Sequence, residues 1–98
     1  MKLKRRPIPP GEILEREFLQ PLGLTQQQLA DAIGISRVRA NEIIRGKRGI
    51  TADTAIRLSR YFGNSVEFWL GLQAEVDTWD ALQHAKADYQ KIKPRRTA

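Results

Sequence analysis

The sequence predicts an all-α fold, in which five helices form one compact domain around a single core. Apolar residues recur at helical spacing, residues that favour helix N-termini precede these stretches, and glycines follow them. A chain of 98 residues is long enough for one core of packed helices and points to a single domain. We therefore interpret residues 1–98 as one domain.

Residues 25–46, TQQQLADAIGISRVRANEIIRG, predict two short helices joined by a tight turn, the helix-turn-helix arrangement. Thr25 and Gln28 have the spacing of a capping box, which satisfies free amide groups at the start of a helix. Gly34 suits the left-handed conformation that ends a helix, and Ser36 suits the cap of the next one. The first helix of the unit is therefore expected to begin at Thr25 and to end at Gly34.

The second helix of this unit has two chemically different faces. At about 100° per residue its apolar residues share one sector, which is expected to face the core: Ala40, Ile43 and Ile44. The opposite side carries side chains that can contact base edges in the major groove of DNA. These candidate base-reading residues are Arg37, Val38, Arg39, Asn41 and Glu42. A solvated face, which is normal on an amphipathic helix, is the alternative interpretation.

The charge balance favours a polyanionic partner. The chain has 17 Lys and Arg against 11 Asp and Glu, a net charge of +6, and each contact with a phosphate releases condensed counterions. The loop Lys47-Arg48-Gly49 follows the second helix of the unit and is a candidate phosphate-binding segment. Basicity alone is shared by many solvated proteins, so it supports this interpretation without establishing it.

The first nine residues are basic and rich in proline, which predicts an extended arm. Its basic side chains suit phosphates or a minor groove, and a disordered solubilising end is the alternative. A first helix is expected from Pro10 to Leu19, with Pro21 ending it. Thr51 is expected to cap a fourth helix that ends at Gly63, with Arg57 and Arg60 in solvent.

The last helix is predicted over residues 64–90, capped by Asn64 or Ser65 and followed by a basic tail at 91–98. Apolar residues follow one another along it at intervals of three, four and three, as in a helix-packing seam. Because aromatic residues are enriched at interfaces, we expect part of this seam to form a dimer surface. The alternative is that both tryptophans are ordinary core. The predicted dimer-surface residues are Trp69, Leu72, Val76 and Trp79.

Several function classes are disfavoured by the composition. Without cysteine there is no disulfide or thiolate site, and His84 lacks the clustered ligands that a metal needs. No Gly-rich phosphate loop and no activated nucleophile is present, so we predict neither a cofactor nor an enzyme. No apolar run approaches the roughly 20 residues that span a bilayer. We therefore expect a cytoplasmic, nucleoid-associated protein with no membrane partner.

Three runs resemble the HigA-type antitoxins of bacterial toxin-antitoxin (addiction) modules, within the Cro/repressor (XRE) class of helix-turn-helix proteins: PGEIL, LGLTQQQLADAIGISRVRANEIIRGKRGITADTAIRLSRYFG and EFWLGLQ. The similarity extends from Pro10 to about Val76. It implies a compact five-helix repressor-like domain that is homodimeric through its C-terminal region. It also implies two further partners, the double-stranded operator DNA of its own operon and a RelE/HigB-like toxin that cleaves mRNA.

The resemblance also assigns residues to the DNA backbone. Together with Arg48 of the basic loop, the implied backbone-contacting residues are Thr25, Gln26, Gln27, Ser36, Arg45 and Lys47. The chain departs from the family at Pro9, where a histidine is usual, and at Ala40, where a larger aliphatic residue is usual. Two other functions stay open: a stand-alone or phage-like repressor without a toxin, and a protein-interaction module that uses the aromatic last helix.

Overall fold

The computed structural model describes residues 5–95, and within that range it contains five helices and no strand. Helix α1 consists of three consecutive segments, Pro10–Ile13, Leu14–Leu19 and Gln20–Leu22, of which the middle one is a π-helix. The other helices are α2 (Gln26–Ile33), α3 (Arg37–Ile44), α4 (Ala52–Phe62) and α5 (Val66–Gln90). The predicted all-α, five-helix fold is therefore confirmed. Residues 1–4 of the arm and 96–98 of the tail lie outside the described residues.

The caps predicted at Thr25 and Ser36 and the helix end predicted at Gly34 are present in the structure. The Gln28 backbone N–H donates to Thr25 Oγ1 at 3.0 Å, and the Thr25 N–H donates to Gln28 Oε1 at 2.9 Å. Helix α2 ends at Gly34, which has a left-handed φ of 75°. Ser36 Oγ then accepts from the Arg39 N–H at 3.0 Å and caps α3. Local sequence alone is therefore sufficient to place this turn.

The structure decides between the two candidate caps of α5. Ser65 Oγ accepts from the Phe68 N–H at 3.0 Å, so Ser65 is the cap. Asn64 has a different role, because its Oδ1 accepts from the indole N–H of Trp69 at 2.9 Å. A buried indole N–H commonly finds such a partner. Asn64 thus satisfies the indole donor of Trp69 in the core, while the Nδ2 of Asn64 is itself buried without a partner among residues 5–95.

Trp69 lies at the centre of an aromatic cluster inside the single chain. It is 0% exposed, and its ring centroid lies 5.0 Å from that of Phe18 and 5.0 Å from that of Phe68. Val76, two turns further along α5, is also buried. The prediction that Trp69 and Val76 lie on a dimer surface is corrected by this burial, because the seam packs against other helices of the same chain. Leu72 and Trp79 are only partly buried.

Helix α1 continues past the proline that was expected to end it. Pro21 lies in the last segment, and the helix ends at Gly23, whose φ is 66°. A proline in an α-helix lacks a donor and clashes with the carbonyl four residues earlier. Here a π-helical turn precedes it, and the Gln20 N–H bonds to the Glu15 carbonyl, five residues back. This wider turn changes the hydrogen-bond register just before Pro21.

The described part of the N-terminal arm is tied to α5. Arg6 donates from Nε to Oδ1 of Asp80 at 2.8 Å and from Nη2 to Oδ2 at 2.9 Å. Beyond this point α5 continues past Ala85, where the backbone departs from helical geometry (φ −129°, ψ 26°). No helix within residues 5–95 is both long and apolar enough to cross a membrane.

Candidate nucleic-acid interface

Helix α3 has the two faces that its periodicity predicts. Its inner face is buried, with Ala40 and Ile43 at 1% and 2% exposure. On the outer face Arg37 is exposed, and Val38 is 70% exposed. A large apolar side chain left in solvent beside an arginine is suited to contact with a thymine methyl group. Together with Asn41 and Glu42, these outer residues line a shallow surface depression.

Asn41 is held by the helix that precedes it. Its Nδ2 donates to Oε1 of Gln26, the first residue of α2, at 3.0 Å, and the contact is partly buried. The bond leaves the second N–H and the carbonyl oxygen of Asn41 available to a ligand. These are the two groups with which an asparagine pairs with adenine. The structure thus brings together one predicted base-reading residue and one predicted backbone-contacting residue.

Arg39, a predicted base-reading residue, lies differently from its neighbours on α3. Its Nη2 donates to Asp53 Oδ2 at 2.9 Å and to Thr54 Oγ1 at 2.8 Å, both at the start of α4. Its side chain is 28% exposed. Its Nε is buried and has no hydrogen-bond partner among residues 5–95. One nitrogen of the Arg39 guanidinium, Nη2, is therefore bound by α4 within the protein itself.

The basic loop after α3 is partly neutralised by the helix. Arg48 donates to Glu42 Oε1 from Nη2 at 3.2 Å and from Nε at 3.3 Å, so a predicted base-reading carboxylate is paired with a predicted backbone-contacting cation. Arg45 and Lys47 are exposed, and neither forms an ion pair within the described part of the chain. These two cations are the ones most accessible to phosphates in this loop.

The predicted backbone-contacting residues on α2 lie at its exposed N-terminal end. Thr25 and Gln27 are exposed, and Gln26 is partly buried by its contact with Asn41. Gln27 Nε2 donates to Asp31 Oδ1 at 2.9 Å, one turn along the helix. Ser36, the cap of α3, is exposed as well. The N-termini of α2 and α3 therefore both offer polar groups at the surface, where helix dipoles favour anions.

Arg57 and Asp53 were not identified from the sequence as part of this region. Arg57 donates from Nη1 to the Ile33 carbonyl at 2.8 Å and from Nε to Asp53 Oδ2 at 3.0 Å. The hydrogen bond from Arg39, followed by that from Arg57, lowers the pKa of Asp53 below its ordinary value. The spacing of Asp53 and Arg57 is that of a helical ion pair, which was the one sequence signal for their contact.

A polar outer face on α3, held against a capped α2 across a glycine turn, defines a DNA-binding helix-turn-helix unit. The helix-turn-helix family model (HTH_3) matches residues 16–69, which include all of α2, α3 and α4.

Similarity to individual proteins identifies a family within the helix-turn-helix class. The chain is 51% identical over 85 residues to Virulence-associated protein I of Dichelobacter nodosus, covering 87% of this chain and 75% of that protein. It is 42% identical over 93 residues to Antitoxin HigA-1 of Vibrio cholerae, covering 95% and 88%. It matches the structure of Pseudomonas aeruginosa antitoxin HigA with the higBA promoter at a TM-score of 0.86 and 42% identity, covering 93% and 100%. The chain belongs to the HigA antitoxin family of helix-turn-helix proteins, as its sequence motifs predicted.

Proposed function

We propose that this protein represses its own toxin-antitoxin operon by binding operator DNA, and that it neutralises a RelE/HigB-like, mRNA-cleaving toxin by direct binding. The observation that carries the DNA-binding part is the exposed polar face of α3 opposite its buried apolar face. The proposal is supported by the structure of Pseudomonas aeruginosa antitoxin HigA with the higBA promoter, whose fold this chain shares. We assign its site of action to the cytoplasm, on the nucleoid.

Binding would place α3 in the major groove of the operator. Arg37, Val38 and Asn41 are exposed or partly exposed on the outer face, and they are the proposed base-reading residues. Glu42 would join them after exchanging its contact with Arg48. Thr25, Gln26, Gln27 and Ser36 at the helix N-termini, with Arg45, Lys47 and Arg48 after α3, are the proposed backbone contacts.

A homodimer would present two α3 helices to successive major grooves, about 34 Å apart on one side of the duplex. The partly exposed residues Leu72 and Trp79 on α5 remain the proposed dimer surface after the burial of Trp69 and Val76. Occupancy of a palindromic operator by this dimer would exclude RNA polymerase. Binding of the toxin would mask the surface that cleaves mRNA.

The DNA part of the proposal is tested by titrating the purified protein with the DNA upstream of its own gene and with scrambled DNA of equal length, at about 150 mM salt. We expect a preference for the upstream DNA of roughly a thousandfold or more. Arg37→Ala should cost about 1–3 kcal/mol in operator binding. Arg60→Ala removes the same charge from the exposed surface of α4 and should keep the preference. Equal binding to both DNAs would overturn the proposal.

The toxin part is tested separately. The product of the gene beside this one is purified, and its cleavage of mRNA is measured with increasing amounts of this protein. Stoichiometric inhibition together with co-elution in gel filtration is the expected result. Unchanged cleavage, combined with specific operator binding, would leave the chain as a repressor without a toxin partner.

A further inference from the structure

We infer that Arg39 is a positioning residue, which Asp53 and Arg57 of α4 hold in place so that the outer face of α3 meets the bases in one orientation. This inference rests on the proposed DNA binding. It assigns Asp53 and Arg57, which lie outside the reading helix, to the specificity of that binding. It also moves Arg39 from base contact to support of its neighbours.

Asp53 and Arg57 of α4 together connect α4 to both helices of the helix-turn-helix unit. Oδ2 of Asp53 accepts from Arg39 Nη2 of α3 at 2.9 Å and from Arg57 Nε of α4 at 3.0 Å. Through Nη1, Arg57 also donates to the Ile33 carbonyl at the end of α2, at 2.8 Å. Each of these is a charge-assisted contact, the stronger class of hydrogen bond. The relative placement of α2 and α3 is thereby coupled to α4.

Arg57 lies directly against the turn between α2 and α3. Its Nη1 is 3.4 Å from the carbonyl oxygen of Gly34, and a Cβ added to Gly34 would lie 3.0 Å from the same nitrogen. The last carbonyls of a helix carry partial negative charge and lack partners within the helix. A guanidinium at this place therefore both satisfies the end of α2 and fills the inner side of the turn.

Arg39 is held at both its backbone and its side chain. Its N–H donates to Ser36 Oγ at 3.0 Å, and its guanidinium contacts Asp53 and the nearly fully buried Thr54. It stands in the first turn of α3, beside Val38, which is 70% exposed. Fixing Arg39 against α4 therefore sets the direction in which the first turn of α3 presents its outer residues.

The test compares operator and scrambled DNA binding for Asp53→Asn. Removing a negative charge near the basic face should by itself strengthen binding to both DNAs. Loss of the positioning of Arg39 should instead weaken binding to the operator, without weakening binding to scrambled DNA. We therefore expect the operator-to-scrambled preference to fall by about tenfold, a size typical of coupled contacts. Asp88→Asn, which makes the same charge change on the exposed surface of α5, should leave the preference unchanged.

A second variant keeps the charge and removes the geometry. In Arg57→Lys one ammonium replaces the fork of nitrogens, so Asp53 and the Ile33 carbonyl can no longer both be bound in the same way. We expect a smaller fall in preference than for Asp53→Asn. Circular dichroism and thermal melts establish that each variant is folded at the temperature of titration, and Arg57→Lys decides the outcome if Asp53→Asn is unfolded.

A double-mutant cycle separates support from direct reading. If Arg39 acts through Asp53, the pair Arg39→Ala and Asp53→Asn should lose no more preference than the larger single loss. Additive losses would show that Arg39 reads a base independently, and they would overturn the inference. An unchanged preference in the folded Asp53→Asn and Arg57→Lys variants would overturn it as well. A wild-type protein without operator preference would instead refute the proposed function.

Discussion

Asn41 of α3 donates a hydrogen bond to Gln26, the first residue of α2, across a distance of 3.0 Å between Nδ2 and Oε1. The two residues are 15 positions apart and are brought together by the turn between the helices. The contact fixes the plane of the Asn41 amide before DNA is bound. A preorganised side chain loses less conformational freedom on binding than a free one. This pair is therefore a direct link between the packing of the unit and base reading.

Gln26→Ala should weaken operator binding for two reasons. The Asn41 amide becomes free to rotate, and the proposed contact of the Gln26 side chain with the DNA backbone is lost. We expect a loss of about 1 kcal/mol, smaller than the roughly 1–3 kcal/mol for Asn41→Ala, measured by fluorescence anisotropy on operator DNA. In the double variant the loss should be smaller than the sum of the two single losses, since the two residues share one contact. Gln83→Ala on the exposed surface of α5 serves as the control and should change nothing. Full additivity would contradict the coupling.

Lys47 is expected to contact phosphate rather than a base, since it is exposed in the loop after α3. Lys47→Ala should lower the affinity for operator DNA and for scrambled DNA by the same factor. It should also lower the slope of log affinity against log salt by about one, because one fewer counterion is released. The measurement is a salt series on both DNAs, with Lys86→Ala on α5 as the charge-matched control. A change in the ratio of the two affinities would assign Lys47 to base reading instead.

Replacing glycine by alanine should change the stability of the fold in opposite directions at two positions. A Cβ on Gly11 would lie 2.0 Å from the backbone oxygen of Ile43, because α1 passes directly over the end of α3. Gly11→Ala should therefore destabilise the fold by about 1–3 kcal/mol or more. Gly71 lies in α5 with nothing within 4 Å of the added carbon, so Gly71→Ala should stabilise by about 0.5–1 kcal/mol. Urea denaturation followed by circular dichroism measures both.

If the Gly11→Ala variant is as stable as the wild type, α1 does not approach α3 as closely as the structure shows. In that event the end of the reading helix would not be supported by α1, and the variant should also bind operator DNA normally.

Because of the contact between Arg6 of the arm and Asp80 of α5, the stability of the fold should depend on pH in the acid range. The hydrogen bonds from Arg6 hold the pKa of Asp80 below its ordinary value. A carboxyl with a depressed pKa in the folded state stabilises the fold above its unfolded pKa, near 3.9, and loses that contribution as the pH falls through the folded value. Asp80→Asn should thus flatten the fall in melting temperature from about pH 5 downward. Arg6→Ala should flatten it equally, because it removes the same bond. A slope identical to that of the wild type in both variants would refute the contact.

Local interactions explain why the helix boundaries could be predicted. The caps at Thr25, Ser36 and Thr51 each bond a backbone N–H three residues ahead, so both partners are visible in a short stretch of sequence. Gly34 and Gly63 end their helices for an equally local reason, their left-handed conformation. Pro21 is the exception. Its effect depends on the π-helical turn before it, which no local pattern indicated.

The candidate site was predictable in part for a similar reason. Periodicity separates the buried Ile43 from the exposed Arg37 and Val38, since all three lie on one regular helix. Periodicity does not reveal what a side chain meets across a helix boundary. Periodicity predicts Arg39 and Arg57 at the surface, whereas both contact other helices in the folded chain.

By itself, the sequence determined the five helices, the glycine turn at Gly34 and the polar face of α3, because each depends on residues within one or two turns of one another. Only the tertiary structure decided that Trp69 belongs to the core and that Asp53 joins Arg39 to Arg57. These outcomes depend on contacts between different helices. Such contacts follow from how the helices pack, which fixes the distance and direction between side chains far apart in the chain.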